Sequence, residues 1–467
     1  MSMKPAGSLR EEADAIVRRL QAEGFAAFFA GGCVRDFLLG REPGDYDIAT
    51  AARPEQIESL FPRTLAVGRK FGVMVVLVGG HQFQLATFRA EADYQDGRHP
   101  ERVSFGDARA DALRRDFTIN GLFFDPVTGQ LHDWVDGERD LRAGIIRTIG
   151  LPQERFAEDH LRLLRAARFA AQLGFDIEPG TLAAVRDLAP RISSVSPERI
   201  REELTKLLHP TYAAKGLGLL QQTGLLNHVL PEIEATVTCE QSPEFHPEGS
   251  VFQHLLLMLR HLAPGADPLL PWAVLLHDVA KPVTATRDPQ TGRIRFHGHE
   301  RVGAEMAEQI LKRLRFPRKQ IESVVDMVRY HMQFKDAPAM RRATLRRVLL
   351  RPTFPLELEL HRLDCLGSHG QLDVHGFLVG QVAELERQPE LRPPLLKGDA
   401  LLAMGMKPGP ALGALLAEIR DLQLQGELKS PAAAEAWVRN KIAGASGEEP
   451  GEGNARPGNA RPGNAQT

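Results

Sequence analysis

The sequence predicts an α+β protein in which an N-terminal domain with a small mixed sheet is followed by an all-helical remainder. Between residues 11 and 150, strand-like apolar runs alternate with helix-like ones, as expected where a sheet packs against helices. From about Phe156 almost to Ile442, apolar residues recur at helical spacing, and strand-like alternation nearly disappears. Breaks rich in proline and glycine place domain boundaries near residues 150, 240 and 390.

These boundaries, together with the start of the tail at residue 446, divide the chain into five predicted segments. They are a sheet-containing head at 1–150, helical segments at 151–240, 241–390 and 391–445, and a tail at 446–467. In the tail, NARPG occurs at Asn454 and again at Asn459 with almost nothing apolar to bury, so we expect disorder there.

Composition and charge limit the classes of protein to which the chain can belong. A hydrophobic fraction of 43% and a charged fraction of 25% in 467 residues are ordinary for a soluble globular chain with a sizeable core. The longest apolar run, Phe25 to Val34, is too short to cross a bilayer, and no signal peptide precedes it, so no membrane partner is expected. Three scattered cysteines favour a reducing cytoplasm. With a net charge of -2, any nucleic-acid contact must come from local basic patches.

The stretch GGCVRDFLLGREPGDYD has the pattern of a phosphate site. The apolar run FAAFFA before it predicts a buried strand, and Gly31 and Gly32 then let the backbone approach a bulky anion at the start of a helix. After this helix, Asp45 and Asp47 lie two residues apart on a predicted strand, so their carboxylates point to the same side. There they can share a pair of Mg²⁺ ions.

Plainer explanations of the same stretch are a glycine-rich turn followed by a solvated acidic strand end, or a calcium loop. The calcium loop is excluded because the alternating ligands, the central glycine and the terminal glutamate of an EF-hand are missing. Further on, ALRRDFTIN brings together Arg114, Arg115, Asp116 and Asn120, which can bind a triphosphate and a ribose hydroxyl. The alternative there is an exposed helix start with a capping aspartate.

The stretch EDHLRLLRAARF has the pattern of a base-selecting surface. Asp159, Arg162, Arg165 and Arg168 recur at three-residue intervals, which places them on one stripe of a predicted helix. The plain alternative is an amphipathic helix with surface ion pairs. A carboxylate beside a guanidinium, however, offers an acceptor next to a donor, which matches the edges of cytosine and adenine and opposes those of guanine and uracil.

A second candidate site lies in the helical part. His254, the adjacent pair His277 and Asp278, and Asp364 can converge on a divalent ion in a helical bundle, with His299 and His331 as further ligands. A lone histidine on such a helix is usually structural. Four ligands in this order, with Lys281 beside the pair, favour a metal site.

Taken together, these motifs resemble the class II tRNA nucleotidyltransferases, the family of bacterial CCA-adding enzymes and poly(A) polymerases, whose head is of the polymerase-β type. The resemblance covers roughly Phe25 to Leu208, and a resemblance to HD phosphohydrolase domains covers about residues 245 to 370. It implies a nucleotidyltransferase head, a helical neck and body that binds nucleotide and RNA, an HD domain, and a helical tail that contacts tRNA.

The resemblance also implies an activity and its partners. The activity is template-independent addition of CCA to the tRNA 3′ end from CTP and ATP, with Mg²⁺ at the head, and no DNA partner is expected. The HD domain implies phosphatase or 2′,3′-cyclic phosphodiesterase activity on RNA ends, with a second divalent metal of unknown identity. The alternatives are addition of A alone, of CC alone or of a poly(A) tract, and a metal phosphohydrolase with an RNA-binding head.

Residue roles follow from the same resemblance. Gly32 and Arg35 would contact the nucleotide, and Asp45 and Asp47 would hold Mg²⁺. On the other side of the nucleotide, Arg115 would grip the triphosphate, Asp159 and Arg162 would select the base, and Arg165 and Arg168 would support them.

Three further positions bear on the type of enzyme. Gln84 stands where many relatives carry a glutamate, a third active-site carboxylate, and this leaves the base for the 3′-hydroxyl open. Within 68–72, the glycine at Gly72 favours the CCA-adding type over the poly(A) polymerases. The loop at 93–100 resembles the flexible loop used in switching from C to A, which an enzyme adding only CC is expected to lack.

Overall fold

A computed structural model of the chain describes residues 8–89, 105–244, 246–388, 391 and 393–445. The predicted C-to-A loop at 93–100 and the predicted disordered tail at 446–467 lie outside these residues. The described residues form two compact units. The first takes in the chain up to Met332 together with Leu356–Leu372, and the second takes in Gln333–Pro355 and the chain from Asp373 onward.

The predicted mixed sheet is confirmed, and it has seven strands in the order β3-β4-β5-β2-β1-β6-β7. Only β2 and β5 pair in parallel; the other neighbours are antiparallel. The strands are β1 (Ala27–Ala30), β2 (Ile48–Thr50), β3 (Thr64–Gly68), β4 (Val73–Val78), β5 (His81–Thr87), β6 (Phe123–Phe124) and β7 (Leu131–His132).

Among the described residues of the head, five α-helices accompany this sheet. They are α1 (Leu9–Ala22), α2 (Gly32–Leu38), α3 (Pro54–Leu60), α4 (Ala108–Leu113) and α5 (Gly137–Ala143). Ser8 starts α1 with a capping box, in which its hydroxyl accepts the amide of Glu11 and the Glu11 side chain accepts the amide of Ser8. Short 3₁₀ turns occur at Arg69–Phe71 and Thr118–Asn120.

The predicted change to helical structure is also confirmed. The helices that follow the head are α6 (Pro152–Glu158), α7 (Leu161–Leu173), α8 (Pro179–Leu188), α9 (Pro197–Leu207), α10 (Ala213–Gln222), α11 (Leu225–Val229) and α12 (Pro231–Glu234). A 3₁₀ turn at Ala189–Ser194 joins α8 to α9, and the two-residue strands β8 (Ile145–Ile146) and β9 (Asp176–Ile177) pair in parallel.

The next helices of the first unit are α13 (Val251–Arg260), α14 (Leu270–Leu276), α15 (Lys281–Thr284), α16 (His299–Arg313) and α17 (Arg318–Tyr330). Strands β10 (Thr286–Arg287) and β11 (Ile294–Arg295) form a small hairpin between α15 and α16. The remaining elements are a 3₁₀ turn at His331–Ala339 and α18 (Arg342–Leu349), α19 (Phe354–Gly367), α20 (Asp373–Glu386), α21 (Gly398–Ala403), α22 (Pro410–Gln425) and α23 (Pro431–Ala445).

One continuous apolar core extends through the first unit, from Ala13 in α1 to Leu363 in α19. The second unit has its own smaller core, which includes Leu401, Ile419 and Val438. Among the described helices, none combines the length and the apolar character that crossing a membrane requires. The predicted boundaries between the five segments stay predictions.

Two details of the prediction were wrong. Asp45 and Asp47 do not lie on a strand, because β2 begins only at Ile48 and the two aspartates belong to the bend that leads into it. Asp159 is not on the helical stripe either. Its extended backbone (φ -153°, ψ 103°) ends α6, and its carboxylate accepts the amide of Leu161 at 3.1 Å, at the start of α7. The three arginines that follow do lie on α7.

Candidate active site and metal centre

A single cavity of about 680 Å³ in the first unit gathers every residue predicted to bind nucleotide or Mg²⁺. Its lining includes Gly31, Gly32, Arg35, Asp45, Asp47, Arg114, Arg115, Asp116, Asn120, Asp159, Arg162, Arg165 and Arg168. Gln84 also lines it, because alternation along β5 buries Phe83 and Leu85 and leaves Gln84 on the open side. The cavity therefore joins the end of the sheet to the first helices of the neck.

Gly31 is required by the close approach of an arginine. Its φ of 77° lies in the left-handed region, and a Cβ at this position would come within 2.6 Å of Nη1 of Arg115. Arg115 is held there by its Nε and Nη2, which donate to Oδ2 of Asp111 at 3.3 and 3.2 Å, and by its guanidinium lying 4.8 Å from the Phe123 ring. The glycine thus lets a fixed positive charge lie beside the backbone at the start of α2.

A buried hydrogen-bond chain connects this region to the neck. Nη1 of Arg35 donates to Oδ1 of Asn120 at 2.8 Å, and Nδ2 of Asn120 donates to Oδ1 of Asp116 at 3.1 Å. Asp116 in turn accepts from Nε of Arg165 at 2.7 Å. Burial alone would raise the pKa of Asp116, but the charge of Arg165 and the hydrogen bond from Asn120 lower this pKa to about 2. Four of the predicted nucleotide-binding residues therefore form one connected support.

Asp45 and Asp47 differ from these residues in having no such partners. Within the described part of the chain, neither carboxylate accepts a hydrogen bond. Burial, and then the neighbouring charge of Asp45, raise the pKa of Asp47 to about 6, and Arg115 opposes this only in part. Two adjacent carboxylates without compensating donors fit a divalent cation, which prefers oxygen ligands.

The two predicted base-selecting side chains, Asp159 and Arg162, both line the cavity, and each has its own protein partner. The carboxylate of Asp159 is bound by Arg199 of α9, with Nη2 2.7 Å from Oδ2 and Nη1 3.1 Å from Oδ1. Arg162 instead binds the carboxylate of Glu158 and donates to the carbonyls of Arg155 (2.8 Å) and Arg114 (3.1 Å). Both side chains line the cavity, so their shared role in base selection stays a prediction.

The sequence did not indicate that Glu203 and Arg199, both on α9, hold the predicted nucleotide-binding residues in place. Arg168 is bound by Glu203 at 2.6 Å, and Arg165 lies 3.7 Å from the same carboxylate. Glu203 and Arg199 are four residues apart on α9 and face α7 together. That i, i+4 spacing within SPERIREELTKLL was the available indication, but the sequence did not show which helix α9 meets.

The second predicted site is a buried cluster of imidazoles and carboxylates in the first unit. Nε2 of His254 lies 3.1 Å from Oδ1 of Asp364, and Nε2 of His277 lies 3.1 Å from Oδ2 of Asp278. Nε2 of His299 lies 3.3 Å from Oδ1 of Asp278. Two groups could each hold an ion: His254, His277 and Asp278, and then Asp278, His299 and His331, with ligand atoms within 4.8 Å of one another. Five of the six predicted ligands fall in these two groups, and the sixth, Asp364, lies beside His254.

The hydrogen bonds of the histidines prepare them as ligands. Nδ1 of His277, His299 and His331 lies 2.7 to 2.8 Å from the carbonyl oxygen three residues earlier, so Nδ1 carries the proton and Nε2 presents its lone pair. Nε2 of His299 and Nε2 of His331 are only 3.2 Å apart. Two lone pairs repel at this distance unless a proton or a cation lies between them. Burial, together with the charge of His277, lowers the pKa of His331 to about 3, which keeps it neutral.

The carboxylates of the cluster are strongly ionised. Burial alone would raise the pKa of Asp278, but the charges of His277 and Lys281 hold this pKa well below its usual range. Nζ of Lys281 lies 2.7 Å from Oδ2 of Asp278. Nε2 of His277 has no hydrogen-bond partner despite its burial. Imidazole nitrogens beside ionised carboxylates, with the buried Nε2 of His277 left without a hydrogen bond, form a donor set that fits a divalent metal centre.

The fold and these two sites together define a nucleotidyltransferase head joined to an HD domain. Comparison with protein families supports this: the poly A polymerase head domain matches residues 27–147, the probable RNA- and SrmB-binding site of polymerase A matches 174–236, and the HD domain matches 250–365.

Similar proteins support the same assignment. The A-adding tRNA nucleotidyltransferase of Deinococcus radiodurans is 35% identical over 439 residues, which are 88% of this chain and 95% of that protein. The CCA-adding enzyme of Geobacillus stearothermophilus is 44% identical over 222 residues, 47% of this chain and 54% of its own. A crystal structure of the Bacillus stearothermophilus CCA-adding enzyme in complex with CTP superposes with a TM-score of 0.71 at 26% identity, covering 95% of this chain and 100% of that one. The chain belongs to the family of bacterial tRNA nucleotidyltransferases and poly(A) polymerases.

Proposed function

We propose that this chain adds CCA to the 3′ end of tRNA from CTP and ATP, without a nucleic-acid template and with Mg²⁺. The observation that supports this most is the single cavity in which a bare carboxylate pair, fixed arginines and the predicted base-selecting residues all meet. Such a cavity can hold a triphosphate, a metal pair and a base at once. Relatives that are named for adding CCA or its final A to tRNA support the choice of substrate.

In this proposal the residues of the head act on the triphosphate. Asp45 and Asp47 would hold Mg²⁺, which when bound neutralises phosphate charge and lowers the pKa of the attacking hydroxyl. Arg114 and Arg115 extend into the cavity from the end of α4 and supply positive charge for the triphosphate. The chain from Arg35 through Asn120 and Asp116 keeps this wall of the cavity in place.

The residues of the neck act on the base. Asp159 accepts from an exocyclic amino group, and Arg162 donates to the ring nitrogen beside it, a pattern that both cytosine and adenine satisfy. Guanine and uracil present a carbonyl to the carboxylate and are refused. Because the protein itself supplies the complementary edge, no template strand is needed.

The direct test is incubation of the purified chain with a tRNA transcript that ends before CCA, together with Mg²⁺, CTP and ATP. We expect extension by three nucleotides and no extension when Asp45 is replaced by alanine. Failure of the wild-type chain to extend any transcript would contradict the proposal.

A second candidate is addition of the terminal A alone, which is favoured by the A-adding relative of Deinococcus radiodurans because it matches nearly the full length of the chain. In that case the chain would extend only transcripts that already end in CC. The same assay with the two kinds of transcript separates the two activities.

We further propose that the HD centre is a metal-dependent phosphohydrolase for RNA ends. His254, His277, Asp278 and Asp364 would hold one divalent ion, and His299 and His331 with Asp278 a second. The short distance between the Nε2 atoms of His299 and His331, 3.2 Å, supports this second position because a shared cation would hold both lone pairs. If metal-loaded protein leaves phosphomonoesters and 2′,3′-cyclic nucleotides untouched, and His277→Ala lowers only stability, this proposal fails.

A further inference from the structure

The segment that precedes α13 contributes two side chains beside the HD centre that the motif pattern does not include. Oε1 of Glu248 lies 2.9 Å from Nδ1 of His254 and 2.8 Å from Nδ1 of His246. The side chain of Glu248 is only 6% exposed, and that of His254 is fully buried. One buried carboxylate thus faces two imidazoles, one of which is a proposed metal ligand.

His254 is oriented differently from the other histidines of the centre. His277, His299 and His331 each direct Nδ1 at a backbone carbonyl three residues earlier in the chain. Nδ1 of His254 is hydrogen-bonded to the carbonyl of Gly367 at 3.2 Å, and Oε1 of Glu248 lies 2.9 Å from the same nitrogen. A charged acceptor on Nδ1 fixes the tautomer, orients the ring and makes Nε2 a better metal ligand than a neutral carbonyl does.

Close packing against Gly367 leaves the His254 ring little freedom. A Cβ at Gly367 would lie 3.3 Å from Cε1 and 3.4 Å from Nδ1 of His254, and 2.8 Å from Cγ of Met258. The glycine therefore allows the ring to lie directly against the backbone of α19. With Glu248 on its Nδ1, the ring directs Nε2 toward Asp364, at 3.1 Å.

We propose that Glu248 is a positioning residue of the HD centre, which holds His254 with Nε2 available for the metal. The proposal rests on the metal centre proposed above. A competing arrangement is direct metal binding by His246, Glu248 and His254, since their ligand atoms also lie within 4.8 Å of one another. In the positioning role, loss of the His246 imidazole leaves metal affinity unchanged, whereas direct binding makes both residues necessary.

The test is titration of the full chain with Co²⁺, followed by calorimetry and by the visible absorption of the bound ion, which reports its ligand geometry. Glu248→Ala should weaken Co²⁺ binding about 10- to 100-fold, as is usual for loss of such a partner of a metal-ligating histidine. Glu248→Gln should weaken it less, because the amide oxygen still accepts the proton on Nδ1. His246→Ala should bind like the wild type, as should the control Glu244→Ala, whose exposed side chain lies in the same segment.

Each of the other outcomes contradicts either the metal centre or the positioning role of Glu248. If the wild-type chain binds no Co²⁺, the metal centre itself is refuted. If the wild-type chain binds Co²⁺ and both Glu248 variants bind it as tightly as the wild type does, only the positioning role is refuted. If His246→Ala loses as much affinity as Glu248→Ala, the three side chains bind the ion directly. Unchanged nucleotide addition by the head in each variant verifies that the chain is folded.

Discussion

The two carboxylate oxygens of Asp159 lie 2.7 and 3.1 Å from the two terminal nitrogens of Arg199, in a bidentate ion pair between the start of α7 and α9. Both side chains are about a quarter exposed, and an ion pair of this kind contributes roughly 1 kcal/mol or less. A base amino group can therefore compete for the Asp159 carboxylate at little cost. Arg199 then determines how precisely the carboxylate is placed before the nucleotide arrives.

Replacement of Arg199 by alanine should relax base selection. Without its partner the Asp159 carboxylate can rotate, so incorporation of GTP and UTP should rise about tenfold relative to CTP, equivalent to about 1.4 kcal/mol. Single-turnover incorporation of each nucleotide measures this. Arg201→Ala, two residues further along α9 and outside the cavity lining, is the matched control. Unchanged discrimination in Arg199→Ala would mean that α9 has no part in selection.

Replacement of Arg162 by alanine should affect choice of base more than affinity for the triphosphate. Its guanidinium is held by Glu158 and by the carbonyls of Arg155 and Arg114. The measurement is the kcat/KM of all four nucleotides together with the Kd of inorganic triphosphate. A large loss of triphosphate affinity with intact discrimination would assign Arg162 to the phosphates instead.

Replacement of Asp45 by alanine should abolish nucleotide addition and leave the fold intact. Asp45 is exposed and accepts no hydrogen bond among the described residues, so its loss removes no packing, whereas loss of a metal ligand removes several kcal/mol from the transition state. We expect a decrease of about a thousandfold or more in rate. The control is Glu42→Ala, an exposed acid nearby in the chain and outside the cavity lining. Retained activity in Asp45→Ala would refute the metal assignment.

Replacement of Gln84 by glutamate tests whether a third carboxylate near Asp45 and Asp47 would speed the reaction. Gln84 lies on the exposed side of β5 and lines the cavity, so a carboxylate there would face Asp45 and Asp47. If deprotonation of the 3′-hydroxyl limits the rate, Gln84→Glu should be faster than the wild type. Gln82→Glu adds the same charge on the same face of β5 outside the cavity lining, and should change nothing. Equal rates in both variants would show that Gln84 does not limit the reaction.

The buried pair of Asp116 and Arg165 should make stability depend on acid pH. The folded-state pKa of Asp116 is about 2 and its ordinary value is 3.8, so its contribution is complete above pH 3.8 and is lost as the pH falls toward 2. That contribution is about 2 kcal/mol. Asp116→Asn should lower the urea midpoint at pH 7 and approach the wild type near pH 2. The exposed Asp187→Asn is the control, and a pH-independent difference would contradict the assignment.

Sequence patterns predicted the fold class and the residues that meet in the cavity, because glycine turns, apolar periodicity and short motifs act over a few neighbouring residues. The partners of those residues were not predictable in the same way. Asp159 and Arg199 are 40 residues apart, and their pairing depends on how α9 packs against α7. Asp159 also lies outside the helix for a local reason: its carboxylate accepts the amide of Leu161 at the start of α7.

The most direct measurement of the central claim uses three tRNA transcripts, which end before CCA, after the first C and after CC. Each is incubated with Mg²⁺ and with single or paired nucleotides, and the products are sequenced at their 3′ ends. We expect that every transcript is completed to CCA, that addition stops there, and that GTP and UTP are refused. Addition of A only to the transcript ending in CC, of CC without A, or of a long A tract would contradict CCA addition while keeping the chemistry of the head. No addition to any transcript would contradict the proposed role of Asp45 and Asp47 themselves.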